Sequence, residues 1–213
     1  MYKSISLLVL ISVLFYSCDK DDSELQSVTP DLSDVGDVGD SVIFCQNAEY
    51  EDWMLSEYVL PFPVGESYRV DLSQCTGSYH GPGQPDQFAV DFAMSIGSEI
   101  TASRAGTVVH IEQSGQDFGF PNNVIVVFSG DTYDQYMHLT QGGATVTVGQ
   151  SVSQGQLIGY SGATGLAGYP HLHFVVTRGG WEYPYISVPH NYKNTTANER
   201  GPESGATYTA LPY

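Results

Sequence analysis

The chain has 213 residues and sets 7 Lys+Arg against 24 Asp+Glu, a formal net charge of −17. So acidic a chain is not built to hold nucleic acid, whose phosphates attract basic patches, and it gains nothing from docking on anionic lipid headgroups. Its globular portion, about 140 residues, is long enough for one hydrophobic core and too short for two.

The chain opens with MYKSISLLVLISVLFYS, residues 1–17, in which Lys3 precedes an apolar run from Ile5 to Tyr16. That run is shorter than the roughly 20 residues that span a bilayer, and it fits the core of a signal peptide. Cys18 follows Ser17 directly. A small residue and then Cys at the end of such a core resembles the lipobox of bacterial lipoproteins, whose Cys becomes the lipid-carrying N-terminus. The resemblance implies attachment to a membrane through an acyl chain on Cys18 and a place in the bacterial cell envelope, at the outer membrane, on its periplasmic side or at the cell surface. DKDDSE at 19–24 and DLSDVGDVGD at 31–40 come next, acidic and poor in large apolar groups. Residues 18–45 therefore read as a solvated, lipidated tether. With Cys18 lipidated, Cys45 and Cys75 remain, an even pair in an oxidising setting. A disulfide between them would close a loop of about 30 residues, worth on the order of 3–4 kcal/mol in the chain-entropy model.

From Cys45 onward the composition turns globular. After a short helical pattern near 50–59, strands are expected at 87–93 (QFAVDFA), 99–101, 105–112 (AGTVVHIE) and 123–129 (NVIVVFS). Further strands are expected at 132–138 (TYDQYMH), 156–160 (QLIGY) and 172–177 (LHFVVT). Ser129-Gly130-Asp131, Gly142-Gly143 and Gly179-Gly180 supply turns between them. Several short strands at this spacing predict an all-β fold, an antiparallel sandwich or barrel, over residues 46–190, with a polar tail at 191–213.

Six histidines are present, and two stand one residue apart in YPHLHFVV, residues 169–176. On a strand, side chains alternate faces, so His171 and His173 point the same way about 7 Å apart, with Leu172 and Phe174 on the other face. Such a pair can be aimed at one metal-centred site, or can simply lie on a solvated face. His80 stands in the Gly/Pro-rich stretch GSYHGPGQPDQ, and Asp91 follows between Val90 and Phe92. A carboxylate in apolar surroundings is costly unless paired or bound to metal, and imidazole and carboxylate both suit zinc. His138 ends a strand-like run just before Gly142-Gly143. No HExxH occurs, since His110-Ile111-Glu112-Gln113 has no second His, which excludes a site with a helix-borne Glu base.

Taken in order, these pieces make a pattern: His80 with Ala89-Val90-Asp91-Phe92, Tyr136-Met137-His138-Leu139, Ser161-Gly162-Ala163-Thr164-Gly165 and His171-Leu172-His173-Phe174. The pattern resembles the lysostaphin/LytM-type zinc endopeptidases, bacterial enzymes that cut peptide bonds in peptidoglycan, over roughly residues 60–178. The resemblance implies a zinc ion held by His80, Asp91 and His173, with an open fourth position, as a catalytic zinc needs. It implies that His138 and His171 do not bind metal and act instead on the attacking water and the developing oxyanion. It makes peptidoglycan peptide the substrate and a monomer the expected state. In the commonest family pattern the first His lies only a few residues before the Asp, whereas ten residues separate His80 from Asp91. The Gly and Pro content of GPGQPDQ permits a tight excursion that brings the two together, and a Cys45–Cys75 bridge would steady it. His110 and His190 read as ordinary strand and tail residues. Tyr160, Tyr169, Tyr183 and Tyr185 could line a groove, although tyrosine is also common in strands.

Three other readings compete. A silent relative that binds the wall or activates other hydrolases would lack a ligand or a catalytic His, and all five are present. TVTVGQSVSQGQLIGYSG, residues 145–162, looks like a lipoyl or biotinyl carrier hairpin, but carriers need a Lys at the hairpin tip and the globular region has only Lys193. A surface adhesin on a β-sandwich platform would leave the five-residue constellation without a purpose.

Overall fold

The computed structural model describes residues 44–213. The expected signal peptide, Cys18 and the acidic run up to residue 43 lie outside the described residues. Among those described, no helix is long and apolar enough to cross a membrane.

Twelve short strands dominate: β1 (Ser67–Leu72), β2 (Val90–Ala93), β3 (Glu99–Thr101), β4 (Gly106–Glu112), β5 (Val124–Phe128), β6 (Tyr133–Met137), β7 (Leu139–Ala144), β8 (Ser151–Val152), β9 (Leu157–Ser161), β10 (His171–Arg178), β11 (Ile186–Ser187) and β12 (Thr207–Thr209). The larger sheet runs β12-β1-β2-β10-β6-β5-β4-β8, with β11 paired to the end of β10. The smaller sheet runs β3-β9-β7. Every strand pairing is antiparallel, as expected. The helical pattern near 50–59 shrinks to one 3-10 turn, Trp53–Leu55, started by Asp52, whose side chain accepts the Met54 N–H at 3.0 Å.

Period-two alternation explains why the strands lie as they do. On β10, Leu172, Phe174 and Val176 turn inward, and on β2 Val90 and Phe92 do the same. They join Ile125 and Val127 of β5 and Tyr136 of β6 in one cluster with Ile100, Leu139 and Ile158 of the smaller sheet. The sheets approach closely at Gly159, where a Cβ would stand 3.0 Å from both the Ile125 and Leu139 side chains. The opposite face of β2 and β10 is thereby left to carry Asp91, His171 and His173.

The expected polar tail is part of this fold. Tyr192 is fully buried, β12 pairs with β1, and Tyr208 and Ala210 pack into the core. The polar residues that make the stretch look solvated are spent on buried main chain. Asn194 Oδ1 accepts the Leu60 N–H at 2.7 Å, and Asn198 both accepts from Tyr192 N and donates to Tyr192 O at 2.8 Å. His190, read as a tail residue, is likewise buried between Phe174 and Tyr192.

One buried acid gives the fold a pH dependence. Asp134 of β6 has no exposed surface, with Ser129 Oγ donating to its Oδ2 at 2.9 Å. Burial pushes its carboxyl up to about 7, with the Ser129 hydrogen bond and nearby Arg104 pulling the other way and Asp131 adding to the rise. The folded state thus keeps a proton that the unfolded chain releases near the ordinary carboxylate value, so stability falls as pH rises from about 4 through about 7. Asp134→Asn is expected to remove that component. Denaturant unfolding should show the wild type losing about 2 kcal/mol more than the variant between pH 5 and pH 8. Parallel pH profiles for the two proteins would refute this.

Candidate metal centre

The register of the large sheet assembles the site. His173 of β10 sits directly across from Asp91 of β2, and His171 across from Ala93, so both imidazoles share a face with the carboxylate. His173 Nδ1 lies 2.8 Å from Asp91 Oδ1, and His171 Nε2 lies 3.9 Å from Asp91 Oδ2. On its other side His173 pairs with Met137, the last residue of β6, which brings the following residue, His138, alongside.

His138 is the single residue between β6 and β7, and its φ of +64° is a left-handed conformation that few non-glycine residues adopt. This twist breaks the alternation of the strand and turns the ring toward the site. It is held in place: Asn122 Oδ1 accepts the His138 N–H at 3.0 Å, and His138 Nδ1 lies 2.7 Å from the Thr164 carbonyl. Thr164 Oγ1 in turn accepts the Asn123 N–H and donates to Leu139 O. The ring centroids of His138 and His171 are 4.7 Å apart, and those of His138 and His173 5.7 Å.

His80 arrives from outside the sheet, on the 3-10 turn Ser78–His80, and is 1% exposed. Its approach depends on a cinched loop. Cys45 and Cys75 are joined by a disulfide, and Cys75 N–H donates to the Gln87 carbonyl at 2.6 Å. Cys75 and Ser78 both take positive φ, and the chain doubles back tightly enough to set His80 Nε2 3.5 Å from Asp91 Oδ1. The ten-residue gap after His80 therefore does not separate it from Asp91.

A backbone carbonyl only accepts, so the nitrogen facing one must carry the proton. Three imidazoles are fixed this way. His80 Nδ1 donates to Ser73 O at 3.3 Å, His138 Nδ1 to Thr164 O, and His171 Nδ1 to Tyr169 O at 2.9 Å. In the neutral form of each ring, Nε2 is then the bare nitrogen. His173 has the reverse arrangement, with Nδ1 against Asp91 and Nε2 3.2 Å from Asp86 Oδ1.

The charges follow from burial and neighbours. Burial pushes His138 down to about 3, helped by nearby His173 and His171, so it is neutral across the working range. Burial also lowers His80, against the pull of Asp91. For His173 burial acts in the same direction, but Asp86 and Asp91 outweigh it and hold the imidazole up to about 10 in the metal-free protein. Asp91 is held below the usual carboxylate range, the His173 charge overcoming the effect of burial.

His80, Asp91 and His173 each offer one ligand atom, and these atoms lie within 4.8 Å of one another. Tetrahedral zinc, with bonds of about 2.0–2.2 Å, places its donors about 3.4 Å apart. The separations of 2.8 and 3.5 Å around Asp91 Oδ1 bracket that spacing. Two imidazoles and one carboxylate are the donor types and number of an open zinc site. The residues fit the metal.

Residues 86–184 match the model of peptidase family M23. Over that stretch the chain is similar to M23 peptidases. Among similar proteins are lysostaphin of Staphylococcus simulans, 31% identical over 134 residues, covering 59% of this chain and 24% of that protein. The glycyl-glycine endopeptidase ALE-1 of Staphylococcus capitis is 38% identical over 90 residues, 42% of this chain and 24% of its own. The peptidoglycan DD-endopeptidase ShyA of Vibrio cholerae is 41% identical over 91 residues, 42% of this chain and 20% of its own. The match thus spans between a fifth and a quarter of these relatives' length. His80 lies six residues before the start of the matched M23 segment.

All five site residues expected from the sequence converge here, four of them within the matched segment and His80 just before it. His110 and His190 stay apart: His110 stacks on Trp181 at 4.3 Å, and His190 belongs to the core. Of the tyrosines, Tyr169 stacks on His171 at 4.6 Å and Tyr183 is exposed, while Tyr185 hydrogen-bonds to Asp86. Asp86, Asn122 and Asn123 are supporting residues that the sequence reading passes over. A partial signal for Thr164 existed, since it lies within the Ser161–Gly165 block.

Proposed function

We propose that this protein is a zinc-dependent endopeptidase that hydrolyses peptide cross-links in bacterial peptidoglycan, acting in the cell envelope. The observation that carries the reading is a buried His-Asp-His donor set with two further imidazoles beside it, each fixed with a bare Nε2. In this reading His80 Nε2, one oxygen of Asp91 and His173 Nδ1 hold the metal. Zinc bound there would supply Lewis acidity, polarising a peptide carbonyl and easing deprotonation of water.

The protein's own groups do the rest. His138 and His171 present lone pairs, so either can take a proton from an attacking water. Once protonated, the same Nε2–H can donate to the oxyanion or to the leaving amine. Burial keeps His138 neutral before the reaction, which leaves its Nε2 lone pair free to accept a hydrogen bond from water. Its tie to Thr164 and Asn122 fixes the ring without reorganisation. A silent wall-binding relative is not favoured, since none of the five groups is missing.

The relatives include both a glycyl-glycine endopeptidase and a DD-endopeptidase, so the bond cut is the next question. Purified peptidoglycan should be digested with the zinc-loaded chain and, in parallel, with the chelated chain, and the fragments weighed. Zinc-dependent release of uncross-linked muropeptides is expected, and their masses name the bond. A zinc-loaded chain that releases no more than the chelated one would sink the proposal.

A further inference from the structure

The inverted imidazole of His173 needs a partner that the other three histidines obtain from main-chain carbonyls. For Nδ1 to offer a lone pair to a metal, the single proton of the neutral ring must sit on Nε2. The group facing Nε2 is Asp86 Oδ1, at 3.2 Å. The same oxygen accepts a hydrogen bond from the Tyr185 hydroxyl. Asp86 stands in the turn between His80 and Asp91, and Tyr185 directly precedes β11, which pairs with Thr177 and Arg178 of β10. Phe88 N–H donating to Ser187 Oγ at 3.3 Å ties the two segments together. The line Tyr185–Asp86–His173 is therefore anchored at both ends to the strand that carries His173.

Resting on the zinc reading above, we propose that Asp86 is the positioning residue for His173, and that Tyr185 positions Asp86. Neither is a metal ligand. The carboxylate obliges the Nε2 nitrogen to be the protonated one, which aims the Nδ1 lone pair at His80 and Asp91. A carboxylate behind a ligating imidazole also makes the ligand a better donor, and removing such a partner typically weakens metal binding about 10–100-fold. The inserted turn that carries Asp86 thus contributes two things to the centre, one ligand and the orienter of another.

The test measures zinc affinity by competition with a chromophoric chelator, using the full chain and its Asp86→Ala, Asp86→Asn and Tyr185→Phe variants. Asp86→Ala should bind zinc about 10–100-fold more weakly. Asp86→Asn, which keeps an acceptor, should lie between that variant and the wild type, and Tyr185→Phe should show a smaller loss in the same direction. In protein labelled with 15N-histidine, the His173 Nε2–H proton of the zinc-loaded wild type should be protected from exchange, and Asp86→Ala should lose that protection. A merely structural pair would lower the melting temperature of the zinc-free chain and leave both readouts unchanged. Zinc affinity within twofold of wild type, with the proton still protected, overturns the positioning role and leaves the metal reading standing. If Asp86→Ala does not fold, the Asn and Phe variants decide by the same criteria. A wild-type chain that takes up no zinc removes the metal reading and this role with it.

Discussion

Replacing His138 or His171 by Ala is expected to abolish peptidoglycan hydrolysis while leaving zinc uptake intact, whereas Asp91→Ala or His173→Ala should abolish both. The difference follows from where the nitrogens point. His173 Nδ1 and His80 Nε2 converge on Asp91 Oδ1, at 2.8 and 3.5 Å, and removing any one of the three leaves too few donors for a tight zinc site. His138 and His171 have spent Nδ1 on carbonyls and face the same space from beside it. Losing one positioned acid–base group typically costs about 10²–10⁴ in rate. His138→Ala also places a side chain without local polar contacts at φ +64°, a strain of about 1 kcal/mol, so His171→Ala is the cleaner of the two. The checks are zinc stoichiometry after dialysis and the initial rate of muropeptide release. If His171→Ala lost zinc as completely as Asp91→Ala, the division between ligands and proton-handling groups would be wrong.

How much of this was legible beforehand depends on the range of the signal. HxH and the lone acid in VDF are local patterns, and strand alternation alone puts each on the face opposite Leu172, Phe174, Val90 and Phe92, where the structure has them. Strands rich in Val and Ile were also readable. The alternation of Tyr68, Val70 and Leu72 with Ser67, Arg69 and Asp71 is an equally regular signal for β1, but a reading weighted toward β-branched runs passes over it. β7, LTQGGA, looks like a turn because two glycines interrupt it, and β12 is only three residues long amid polar neighbours. The supporting groups at the site were harder still. Nothing in the sequence couples Asp86 to His173, 87 positions away, or Asn122 to His138, because those contacts exist only once the sheet register is set. The resemblance supplied roles that spacing alone leaves open, since either His of an HxH pair can bind zinc.

The second large effect concerns the disulfide. Replacing Cys45 and Cys75 together by Ser is expected to destabilise the protein by about 3–4 kcal/mol, from a cross-link over 30 residues of sequence. For a domain of this size that is a melting temperature roughly 10 °C lower. The effect should also reach the metal. His80 lies on an excursion whose base is closed by two contacts, the bridge at Cys75 and the Cys75 N–H bond to the Gln87 carbonyl. Cutting the first frees the N-terminal end of the excursion, so part of the binding energy of zinc must then go into ordering His80. Asp91 and His173 sit on paired strands and stay where the sheet holds them. Zinc binding should therefore weaken without being lost, by less than the loss caused by His80→Ala. Chelator competition on the double Ser variant, below its melting temperature, measures this directly. Unchanged affinity in a folded variant would mean that the hydrogen bond to Gln87 and the other contacts of the loop hold it without the bridge, which then serves stability only.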